Sequence, residues 1–108
     1  MSIKLPDIRI IGGGDETFTL KVSSAGENIS DSFTSSRFFI GRTGAADADI
    51  TIEGFYDADA ERILFILTSN DTKPMDGNYI YQIELELSGS SVIRRFWGHF
   101  NVMKGFEV

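Results

Sequence analysis

A chain of 108 residues, 42% hydrophobic and 24% charged, has the size and composition of one globular domain with its own core, which excludes intrinsic disorder. Its formal net charge is −6 and each half carries five basic against eight acidic residues, so neither half can follow a phosphate backbone and nucleic-acid binding is not expected. There is no cysteine, which removes disulfides, thiolate metal sites and cysteine nucleophiles and fits a reducing compartment.

Residues 1–7 lack the apolar core of a signal peptide, and no run approaches the ~20 apolar residues of a membrane span. The expectation is a protein made in a cytosol, with no membrane partner. A short strand follows Pro6 at 8–11, and Gly12-Gly13-Gly14-Asp15 makes a tight turn. Residues 17–22 alternate, with Phe18, Leu20 and Val22 on one face. Together these segments predict an N-terminal hairpin. Residues 23–36 are polar and small apart from Ile29 and Phe33 and read as a loop with room for a short irregular strand. Strands are expected at 37–40 and 49–53, an acidic turn at 55–61, and a central strand at 62–68 from its β-branched and aromatic run. One helical turn belongs at 69–75, with Ser69 as its N-cap and Pro74 preventing extension.

The clearest pattern is the last third of the chain. Tyr79, Tyr81, Ile83, Leu85 and Leu87 fall on odd positions, while Asn78, Gln82, Glu84, Glu86 and Ser88 fall on even ones, Ile80 excepted. That period of two marks a long strand with one buried and one wet face. A polar turn at 88–91 leads into a second long strand. There Val92, Phe96, Phe100 and Val102 share the core parity, and Ile93, Arg95, Trp97 and His99 face outward. The whole predicts a single all-β domain over 1–108, an antiparallel β-sandwich of about seven strands with at most one short helical turn.

No catalytic constellation emerges. The triple glycine is not followed by the Lys-Ser/Thr or the helix that a phosphate loop requires. Asp57, Asp59 and Glu61 begin like a calcium loop, but Arg62 stands where an EF-hand has glycine and Thr68 where it has glutamate. A solvated acidic turn is the simpler reading, with calcium left open. His99 is the only histidine, and Glu84 and Glu86 point away from the core, so neither a metal set nor a facing carboxylate pair is assigned. No cofactor is expected.

Leu67-Thr68, Thr72, the run Gly77-Asn78-Tyr79-Ile80-Tyr81-Gln82-Ile83-Glu84-Leu85 and Gly98-His99-Phe100-Asn101-Val102 form a pattern. It resembles the immunoglobulin-like sandwich of phage and prophage tail and baseplate proteins, notably the N-terminal domain of upper baseplate proteins. The specific part covers about a third of the chain, and no long shaft or receptor-binding region follows it. The resemblance implies an immunoglobulin-like fold, a place in the virion after synthesis in the host cytoplasm, and a non-enzymatic assembly role. Its partners would be other phage structural proteins, with homo-oligomerisation possible. The surface best suited to docking is then Ile93, Arg95, Trp97 and His99, since tryptophan and arginine are enriched at interface hot spots. The alternatives at that surface are a Trp97 covered by the N-terminal segment or the tail, and a bulge at Gly98 that changes the facing. A second reading is a carbohydrate- or ligand-binding module, calcium-assisted or not, that uses Trp97 and the tyrosines as platforms.

Overall fold

The computed structural model describes residues 2–42, 44, 47–87 and 93–103. Along them run β1 (Ser2–Lys4), β2 (Ile8–Ile11), β3 (Glu16–Leu20), β4 (Ser23–Ser24), β5 (Glu27–Asn28) and β6 (Phe33–Gly41). There follow β7 (Ile50–Glu53), β8 (Phe55–Asp57), β9 (Arg62–Leu67), the helical turn α1 (Ser69–Thr72), β10 (Gly77–Leu87) and β11 (Ile93–Met103). A single 3-10 turn, Ser30–Ser32, leads into β6. The seven expected strands are all present, and β1, β4, β5 and β8 bring the described total to eleven. None of those four exceeds three residues, too short for a period of two to announce it.

One layer is the sheet β1-β11-β10-β6-β7, with β2 also on β11, and the other is β3-β9-β8. In the lettering of immunoglobulin domains these layers are G-F-C-C′ and B-E-D, so the chain is an all-β, immunoglobulin-like sandwich. The expected N-terminal hairpin does not form. Strand β2 runs parallel to β11, Ile8 beside Phe100 and Ile10 beside Val102, whereas β3 pairs with β9 in the opposite layer. The glycine turn therefore carries the chain between layers. The buried Thr72 hydroxyl fastens it, accepting the Gly13 N–H at 3.0 Å and donating to the Gly14 carbonyl at 2.9 Å. The acidic turn at 55–61 also needs correcting, because its first residues form β8 against β9.

Three rings join the layers. Phe38 on β6 stacks against Phe18 on β3 at 5.5 Å and against Tyr81 on β10 at 5.4 Å, with interplanar angles of 7° and 3°. These are the strands that carry the tryptophan and the inter-sheet disulfide of antibody domains, so a chain without cysteine spans the same gap with stacked aromatics. Tyr79 supplies the tyrosine corner, its hydroxyl accepting the Asp76 N–H at 3.1 Å.

Tyr81 also holds the N-terminal segment. Its ring lies over Gly98, the residue opposite it on β11, so closely that a Cβ there would sit 2.6 Å from the ring. Its hydroxyl reaches past and donates to the Pro6 carbonyl at 2.7 Å. Burial, with a smaller push from Asp7, raises this phenol above its ordinary value of 10.0 and keeps it a donor. Strand pairing with β11 shifts by one residue between β1 and β2, so the Pro6 break acts as a bulge in one interrupted edge strand.

Candidate docking face

The strand β11 buries Phe96, Phe100 and Val102 and turns Ile93, Arg95, Trp97 and His99 to the outer face of the larger sheet. All four predicted docking residues therefore lie together on one side. Gly98 produces no register shift with β10, so the facing does not change there. The polar turn at 88–91 and Val92 lie outside the described residues.

Trp97 is only partly covered. The neighbouring β1 contributes Lys4, whose Nζ lies 5.8 Å from the ring centroid, and a backbone bond from the Leu5 N–H to the Trp97 carbonyl at 2.7 Å. The His99 ring meets it edge-on at 5.7 Å. The N-terminal segment thus flanks the indole and leaves part of it open, while Ile93 at 43% relative exposure is the most open apolar residue of the predicted set.

Register extends the face across the sheet. The row through Trp97 continues to Gln82, Phe39 and Thr51, and the next row runs Arg95, Glu84, Arg37, Glu53. Charges alternate along that second row. Arg95 Nε donates to Glu84 Oε1 at 3.2 Å, whereas Arg37 and Glu53 form no ion pair within the described residues. On this face Phe39, Asp47, Ala48, Thr51, Gln82 and Glu84 line a groove of about 430 Å³. Phe39, Ile80, Arg37 and Glu53 are absent from the predicted set. Their parity on β6, β7 and β10 carries the signal, but placing them needs the strand order.

Elsewhere the chemistry is sparse. A second cleft of about 390 Å³ at the loop end lies beside Arg42, Asp49, Asp71 and Tyr79. There the Arg42 guanidinium stacks on the Tyr79 ring at 4.5 Å and donates to its hydroxyl at 3.0 Å. In the acidic turn, Asp57 Oδ1 accepts the Asp59 N–H at 3.0 Å and so closes the turn itself. Among the described residues no three His, Asp or Glu side chains are grouped to hold a metal ion, and no helix is long and apolar enough to cross a membrane. No family model matches the chain, and no curated protein matches its sequence.

Proposed function

We propose that this chain is a non-enzymatic assembly module of a phage or prophage particle, in the tail, baseplate or head-tail region, which docks other structural proteins and copies of itself, with the outer face of β10 and β11 as a docking surface. The observation that carries the docking role is the gathering of Ile93, Arg95, Trp97 and His99 on one sheet face with the indole partly open. A flat, rigid sheet loses little conformational freedom on binding, and a Trp-Arg pair is the composition from which hot spots are built. The phage context rests on the resemblance of the two long strands to baseplate sandwiches. The ligand-binding alternative has less support, because two of its proposed platforms, Tyr79 and Tyr81, are 4% and 2% exposed and belong to the core.

Co-expression with the tail and baseplate proteins of the same genome tests the proposal. The tagged chain is expected to retain at least one of them through purification. Replacing Trp97 and Arg95 by alanine should weaken that retention at least about tenfold, as loss of a hot-spot pair does. Equal retention by the wild type and the folded double variant would remove this face from the docking role.

A further inference from the structure

Resting on that reading of the face, we infer that its occupant is a second copy of this chain, related by a two-fold axis that runs along the strands between β10 and β6. The charge row decides the axis. Arg95, Glu84, Arg37 and Glu53 stand on successive strands β11, β10, β6 and β7. Rotation about that axis sets Arg95 against Glu53 of the second copy and Glu84 against Arg37 of the second copy, each twice. A two-fold axis lying along the row instead would set like charges together. An alternating row of even length is self-complementary in one orientation only, which is what an isologous interface demands.

Further features of the face fit this pairing. The same rotation places Trp97 opposite Thr51 of the second copy, at the mouth of the groove floored by Phe39, so the open indole and the open groove meet. Arg37 and Glu53, without ion-pair partners among the described residues, gain them. The strand residues of this face carry Arg9, Arg37 and Arg95 against Glu53, Glu84 and Glu86, with Lys4 paired to Asp7 at 3.7 Å. The face is therefore close to neutral in a molecule of net charge −6, and it is where two such molecules approach with least repulsion. Its extent suits a dimer. The axis overlaps four strands, β11, β10, β6 and β7, which at about 4.8 Å apart span roughly 19 Å, while the long strands reach about 36 Å, so the face approaches the ~800 Å² per partner of a standard interface. Two such sheets pack face to face with strands about 30° apart.

The test is a charge exchange followed by sedimentation equilibrium. Wild type is expected to be dimeric at micromolar concentration. Arg95→Glu alone brings two carboxylates together at both symmetry-related contacts, and Glu53→Arg alone brings two guanidinium groups together there. Each should weaken dimerisation by about tenfold or more. In a heterodimer of the two variants, one contact pairs the two introduced charges, which are opposite, and the other keeps the native Arg95 and Glu53. A one-to-one heterodimer should therefore form, a rescue that damage to either fold could not produce. Circular dichroism confirms that each variant is folded. A wild type that stays monomeric to about 0.5 mM, or a dimer that neither variant weakens or that mixing does not restore, overturns the inference. A monomeric wild type that still retains a baseplate protein in a Trp97-dependent way would overturn the self-pairing and leave the docking role standing; a monomeric wild type that retains none would remove both.

Discussion

Gly98 is the residue on which the β10–β11 pairing turns. Tyr81 lies across it to reach Pro6, and the space a methyl group would take is filled by ring atoms at 2.6 to 2.7 Å. Gly98→Ala must therefore push the ring off its stack with Phe38 or part the two strands. Overpacking of this kind costs about 1–3 kcal/mol, measured as a fall in the urea midpoint at unchanged slope. In a Tyr81→Leu background the penalty should shrink, because the smaller side chain can yield. Equal midpoints for Gly98→Ala and wild type would show that the ring does not depend on the glycine. In the sequence this glycine reads as a possible bulge. Nothing in its neighbours reveals that the requirement comes from a tyrosine seventeen positions earlier, since only the pairing register brings the two residues together.

At the scale of elements, α1 acts less as a helix than as a clamp. Pro74 made its single turn legible, but the N-cap is Thr68 and not Ser69. Asp71 Oδ2 accepts the Thr68 N–H at 3.0 Å and the Thr68 hydroxyl at 2.8 Å, and the Ser69 N–H is taken by Asp15 Oδ1 at 2.6 Å. The same turn delivers Thr72 to the glycine crossover, fifty-nine positions from Gly13, a contact no local pattern encodes. Thr72→Val keeps the shape and leaves the Gly13 N–H and the Gly14 carbonyl without their partner, at a cost of about 1–3 kcal/mol. Thr72→Ser retains the hydroxyl and should lose less. Amide exchange at Gly13 distinguishes this from general loosening: faster exchange there in the valine variant, and not in the serine variant, is the expected result. Unchanged protection in both would mean that the turn is held by its backbone alone.

The whole molecule is two layers held by aromatic contact. Period-two alternation revealed which face of β10 and β11 is buried, and with it the docking set, because facing is a local property of a strand. It could not reveal that β2 leaves β3 for β11, because pairing between distant segments leaves no local trace, or that β8 exists, because three residues are too few to show a period of two. Phe38 contributes to both layers at once, stacked on Phe18 across the gap and on Tyr81 within its own sheet. Phe38→Ala should cost about 3–5 kcal/mol, a large share of the 5–15 kcal/mol typical of a domain. Loss should come as one cooperative transition in urea, followed by both Trp97 fluorescence and far-ultraviolet circular dichroism. Separate transitions for the two probes would mean that the layers are held by something other than this stack.

The interrupted edge strand also sets an order of events. Ser2 to Lys4 pair with Arg95 to Trp97, and Ile8 to Ile11 with Phe100 to Met103, so the earlier segment must wait for a strand made much later. Contacts that span most of a chain form slowly, because the intervening loop must close before they are rewarded. Until synthesis has passed Met103, β1 and β2 lack the full strand they pair with. In this molecule residues 2–11 act as a late latch, closing over an otherwise finished sheet.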